Sequence, residues 1–163
     1  MTLSPEIIGL AAEIVESLRA RGETLSTAES LTAGAVSSAI VTTAGASDVF
    51  VGAVTAYRDE IKISHLSVDP AVLDKHTSVS EQVAVAMAQG AIKSLGTTWA
   101  IATTGVAGPN PLDCHPVGAV WVAIEGPVCE TIELSLSGER ESVRNAATAS
   151  AIATFARILR HRN

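Results

Sequence analysis

Aromatic residues make up only 3% of this 163-residue chain, which rules out an interior built on stacked rings. Apolar residues still reach 47%, so the core must come from closely spaced small and aliphatic side chains. Cysteine is scarce as well. Cys114 and Cys129 lack CxxC spacing, which excludes a disulfide framework and points to reduced thiols and a cytoplasmic setting. No apolar run is long enough to span a bilayer, and Met1-Thr2-Leu3-Ser4-Pro5-Glu6 lacks the basic start of a signal peptide. No membrane partner is therefore expected. There is no long basic run and the net charge is −6, which argues against a nucleic-acid surface. With no repeat, low-complexity segment or internal linker, 1–163 reads as a single domain.

The chain is rich in helix and strand signals. Ser4 caps and Pro5 opens a first helix, with Ile7, Ile8, Ala11, Ile14, Val15 and Leu18 at helical spacing and Gly22 closing it. A strand from Thr24 to about Ala28 runs through Ser30 into a small-residue helix, Leu31 to Val41. Phe50 to Tyr57 reads as a second strand, buried and tightly packed. Short helices follow over Arg58 to Leu66 and from Pro70 to near His76. Ser78-Val79-Ser80-Glu81 fits a capping box, launching a helix that Gly96 closes. Trp99 to Thr104 is a third strand, Val117 to Glu125 a fourth and Glu130 to Leu136 a fifth. Only four residues separate the last two, which predicts an antiparallel hairpin. Glu139 to His161 forms the final helix. The order predicts an α/β domain, three-layer α/β/α, with a mixed sheet of about five strands.

Four clusters at loops and strand ends could carry chemistry. Ser30 stands where a strand turns into a helix, beside unpaired backbone N–H groups and the positive end of a helix dipole. That corner suits a serine nucleophile and its oxyanion, and it equally suits a plain N-cap. Tyr57 and Lys62 read either as a site pair or as a strand end and a solvated helix lysine. Thr103-Thr104-Gly105 could approach a ligand or merely end a strand. Arg140 and Arg144, spaced i, i+4, read as an anion clamp or as a solvated helix start. Asp113-Cys114-His115 suggests a metal, but three adjacent residues do not easily converge on one ion, so no metal site is expected. His65, His76 and His161 read as surface or capping residues.

Combination and order say more than any cluster alone. Ala28-Glu29-Ser30-Leu31-Thr32-Ala33-Gly34, Tyr57-Arg58-Asp59-Glu60-Ile61-Lys62, Val79-Ser80-Glu81, Thr103-Thr104-Gly105-Val106-Ala107-Gly108-Pro109 and Pro116-Val117-Gly118 together resemble the CinA C-terminal domain family. That family is also described as nicotinamide-nucleotide amidohydrolase, or nicotinamide mononucleotide deamidase. The resemblance runs from about Ile8 to Leu159. It implies hydrolysis of the pyridine carboxamide to nicotinate mononucleotide and ammonia, with no metal or other cofactor. Ser30 matches the nucleophile, Lys62 its base and Tyr57 an assisting hydroxyl. Backbone near Leu31, Thr32, Ala33 and Gly34 would meet the oxyanion, and Thr104 and Gly105 would approach the substrate. The 5′-phosphate would take a helix N-terminus or Arg140.

The sequence departs from the family pattern in three places. Leu31 stands where the family usually has Cys, and Ala33 where it usually has Gly. The Ala33 methyl is expected where backbone approaches the substrate, at a helical φ that alanine accepts. The stretch 109–116 carries no glycine where the family is commonly glycine-rich. Two further readings follow: a catalytically weakened nucleotide-binding or interaction module, and an amidase for another small carboxamide. Alanine-rich faces such as Ala146 to Ala153 leave room for a homo-oligomer.

Overall fold

A computed structural model describes residues 4–162. The Ser4 side chain accepts from the Ile7 N–H and starts helix α1 (Pro5–Arg21), which Gly22 ends in the left-handed conformation. Strand β1 (Leu25–Glu29) is buried along its whole length. A turn leads to α2 (Ala35–Val41), and a short 3-10 turn to β2 (Phe50–Thr55). Three helices come next: α3 (Asp59–Leu66), α4 (Pro70–His76) and α5 (Glu81–Leu95). β3 (Trp99–Gly105), β4 (Ala119–Glu125), β5 (Glu130–Ser135) and α6 (Arg140–Arg160) complete the chain.

The five strands form one sheet in the order β2-β1-β3-β4-β5. β1 runs parallel to both β2 and β3, and β3-β4-β5 is antiparallel, so the expected mixed sheet and hairpin are present. One face packs on α1, α2 and α6 through Ile14, Leu18, Ile40, Ile101 and Phe155. The other packs on α3, α4 and α5 through Leu66, Leu73, Met87, Ala100 and Ala102. Successive β3 residues serve opposite cores, as a strand buried on both faces must. Trp99 sits in the first core with its ring edge-on to Phe155, centroids 5.2 Å apart, and donates its indole N–H to Glu23 at 2.7 Å. Trp121 packs half-buried against the second.

Several expectations need correcting. β2 lies at the sheet edge and alternates half-buried with exposed residues, because only β1 flanks it. α2 begins at Ala35 rather than Leu31, since 31–34 is consumed by a turn. The cap of α5 is Ser80, which accepts from the Val83 N–H; Ser78 is not part of a capping box. Ala147 and Ala151, in the alanine-rich face of α6, are fully buried in the core shared with α1. Small side chains there let helices approach closely. Gly90 serves the same end between α3 and α5, where an added Cβ would lie 1.9 Å from the Leu66 carbonyl oxygen. That contact seats α3, whose two buried residues are Leu66 and, one turn earlier, Lys62.

Candidate active site

β1 connects to β2 on one side while β3 lies on its other side, so the chain reverses direction across the sheet at β1. Open α/β sheets hold ligands outside the strand C-termini at such a reversal. A cleft of about 450 Å³ opens there, bordered by Ser30, Leu31, Tyr57, Lys62, Thr104, Gly105 and Arg140 together with Asp59, Ser78 and Asp113.

Ser30 extends the sheet by one residue past β1, its N–H donating to the Thr103 carbonyl at 2.9 Å. Its own carbonyl accepts from Ala33 N–H at 3.1 Å, closing the turn. Its hydroxyl makes no hydrogen bond to another described residue and does not cap α2. The N-cap position belongs to Gly34 at φ 94°, without a side-chain bond. The capping is done by Glu29, whose carboxylate is fully buried. One oxygen accepts from Gly34 N–H, Val36 N–H and Thr32 Oγ1 at 2.9, 3.0 and 2.7 Å. The other accepts from Ser37 N–H, Ser37 Oγ and Thr27 Oγ1 at 2.8, 2.7 and 3.1 Å. A helix start expected to receive a phosphate is thus already filled by the chain's own anion.

Lys62, only 1% exposed, reaches from α3 into the cleft. A solvated helix lysine is thereby excluded. Its ammonium donates to Asp59 Oδ1 at 2.9 Å and to the Tyr57 carbonyl at 3.4 Å. It makes no hydrogen bond to Ser30 Oγ, although both border the same cavity. Ser78 Oγ donates to the same Asp59 oxygen, and Thr104 Oγ1 donates to the Ser78 carbonyl at 2.6 Å. Partial burial pushes the Asp59 carboxyl up, but the Ser78 bond and the Lys62 ammonium outweigh it and hold the group below the usual carboxylate range.

Tyr57 is 55% exposed at the rim. Its hydroxyl accepts from Arg140 Nη2 at 2.7 Å, while Arg140 Nη1 donates to the Gly108 carbonyl at 2.6 Å. Arg144, one turn further on, works underneath: it donates to the Leu31 and Thr32 carbonyls at 2.9 and 3.0 Å. The two arginines do not form one clamp. Thr32, Ala33 and Gly34 do not line the cleft. Thr32 is buried against Glu29 and Thr103, and the exposed Ala33 sits at φ 51°, left-handed rather than helical. Alanine in that conformation costs roughly 1–2 kcal/mol that glycine would not. In the glycine-free loop, Leu112 and His115 pair through their backbones, and His115 Nε2 meets Thr77 Oγ1 at 3.2 Å. Among the described residues, no three His, Cys, Asp or Glu side chains gather where a metal could bind.

Sequence reasoning missed Glu29, Asp59 and Ser78. Asp59 stands three residues before Lys62 on one helix, a spacing that brings acid and base together. Glu29 offered only its place beside Ser30. Ser78 was hidden by its resemblance to a cap.

The architecture and the cleft define an α/β domain of the kind that holds small ligands at its strand C-termini, with serine, lysine and arginine at one mouth. The chain belongs to the CinA C-terminal domain family, whose model matches residues 8–159. It is 47% identical over 119 residues to a CinA-like protein of Synechococcus sp. (strain RCC307), covering 72% of this chain and 28% of that protein. A CinA-like protein of Frankia casuarinae is 39% identical over 140 residues, 85% of this chain and 32% of its own length. The chain therefore spans about a third or less of these curated relatives. Competence damage-inducible protein A (ComA) of Klebsiella pneumoniae superposes with TM-score 0.92 at 33% identity, covering 96% of this chain and 99% of that one. The competence/damage inducible protein CihA of Agrobacterium tumefaciens gives 0.93 at 29% identity, with 99% of each chain covered. Among the described residues, no helix is long and apolar enough to cross a membrane.

Proposed function

We propose that this domain hydrolyses the carboxamide of nicotinamide mononucleotide to nicotinate mononucleotide and ammonia by a Ser30–Lys62 mechanism. The observation that carries this reading is a buried lysine and a serine whose hydroxyl bonds no other described residue, on the walls of one cleft at the strand ends. Ser30 Oγ attacks the amide carbon, and the oxyanion takes a backbone amide beside it. The N–H group of Leu31, which borders the cleft, is available, since no described residue accepts from it. Lys62 accepts the Ser30 proton and returns it to the departing ammonia, and water then hydrolyses the ester. To act as a base Lys62 must leave Asp59 as a neutral amine. Arg140 meets the phosphate, with the Tyr57 hydroxyl bracing its guanidinium at the rim.

A binding module that has lost turnover has one observation in its favour: Lys62 is held by Asp59 and the Tyr57 carbonyl rather than by Ser30. Ammonia release from nicotinamide mononucleotide without added metal separates the two. Turnover supports the hydrolase, and saturable binding without ammonia supports the module. Ammonia from a different small carboxamide alone would retain the chemistry and replace the substrate.

A further inference from the structure

Glu29 stands outside the cleft and touches none of its space, yet more hydrogen bonds converge on it than on any residue that lines the site. We infer that Glu29 is the positioning residue of the nucleophile, setting the turn that carries Ser30; this rests on the reading of Ser30 as nucleophile. The carboxylate gathers donors from β1, from the turn and from the first residues of α2 onto one point. The turn between is therefore wound around a fixed anion, and the Arg144 guanidinium holds its Leu31 and Thr32 carbonyls from the other side. Glu29 thereby occupies the amides of Gly34, Val36 and Ser37, and Ala33 N–H closes onto Ser30. The amide of Leu31, on the cleft wall, remains for an oxyanion. The same arrangement explains why Ala33 is held at φ 51°: the turn must bend back for Gly34 N–H to reach the carboxylate.

The chemistry demands a carboxylate rather than an amide. Each Glu29 oxygen receives at least one backbone N–H, Gly34 and Val36 on one side and Ser37 on the other. A glutamine in either orientation turns its NH₂ toward a backbone donor that cannot rotate away. The buried, unmatched donors then push the turn apart, and displacement near 1 Å at a reacting group costs about 100-fold in rate.

The test uses the full chain with two readouts below the melting temperature: covalent labelling of serine by a fluorophosphonate, and kcat with KM on the carboxamide substrate. Ser30-dependent labelling should fall roughly tenfold or more in Glu29→Gln. kcat should fall with it while KM changes little, and Glu29→Asp, which restores the acceptor, should recover part of the rate. A folded Glu29→Gln protein labelled within about twofold of wild type would overturn the role of Glu29 alone. Equal labelling of wild type and Ser30→Ala would remove the nucleophile, and this inference with it. Should Glu29→Gln not fold, Ser37→Ala decides, because it removes one bond to the carboxylate from a residue outside the cleft. A fall of about threefold in labelling supports the role, and an unchanged rate overturns it.

Discussion

The floor of the cleft and its rim are held in different ways. On the floor, Ser30, Lys62 and Thr104 are buried, and each is fixed by backbone or charged partners drawn from several elements. On the rim, Tyr57 and Arg140 are exposed and lean on each other and on a loop carbonyl. Desolvated groups cannot move without losing hydrogen bonds that water does not replace, whereas exposed groups can exchange theirs. The floor is therefore suited to fixed chemistry and the rim to recognition. Two of the three departures from the family pattern fit that division; the third, Leu31, is buried on the cleft wall. Ala33 and the 109–116 loop lie outside the floor, although Leu112 and Asp113 reach the cleft.

The most severe way to break the floor is Ser30→Ala. Removing the covalent route should lower kcat by about four orders of magnitude or more. The melting temperature should barely move, because the hydroxyl bonds no described residue and Glu29 does the capping. A variant that still releases ammonia near the wild-type rate would end the mechanism.

The rim should yield less. Arg140→Ala should raise KM for the phosphorylated substrate about tenfold, the scale of one charge-assisted hydrogen bond, with kcat within a few-fold. A KM unchanged by the substitution would remove Arg140 from phosphate recognition. Ala33→Gly tests the outer side of the turn and should leave kcat alone. It should raise stability by about 1 kcal/mol in chemical denaturation, since glycine adopts the left-handed φ freely. A lower stability would show that chain entropy outweighs the relieved strain.

Asp59 gives the smallest and most condition-dependent effect. Its folded-state carboxyl titrates below the ordinary value, so its contribution to stability is fully present above about pH 4 and is lost as pH falls through the depressed folded value. The wild type should accordingly exceed Asp59→Asn in melting temperature by a constant margin at neutral pH. That margin should shrink below about pH 4. A margin independent of pH down to 2 would mean that the Lys62 pair adds nothing through charge.

Legibility in the sequence followed the same division. Helix bounds set by Ser4, Gly22 and Gly96 were readable because each cap acts within a few residues. The β4–β5 hairpin was readable for the same reason, its connection being so short. β2 was misjudged because Phe50, Val51 and Val54 have the composition of a buried strand, and only strand order places them at an edge. The Ser30 turn was misjudged for a related reason. Small residues from Leu31 onward continue a helical pattern, and nothing local announces that the Glu29 side chain will fold back over eight positions to reach Ser37. The bond from Ser78 to Asp59 spans 19 residues and depends on how α3 rests on Gly90.

The two tryptophans offer an optical handle on this architecture. Trp99 lies in the core beneath α1, α2 and α6, and Trp121 faces the core beneath α3, α4 and α5. Each layer thus carries its own fluorophore, and Trp99 has Glu23 at its indole N–H and the Arg162 guanidinium 5.1 Å over its ring. Single-tryptophan proteins made by Trp99→Phe and Trp121→Phe would report the two layers separately during unfolding. If both emissions change in one transition, the sheet melts as a unit. If the Trp121 signal moves first, the layer bearing Lys62 can open while the layer behind Ser30 stays folded.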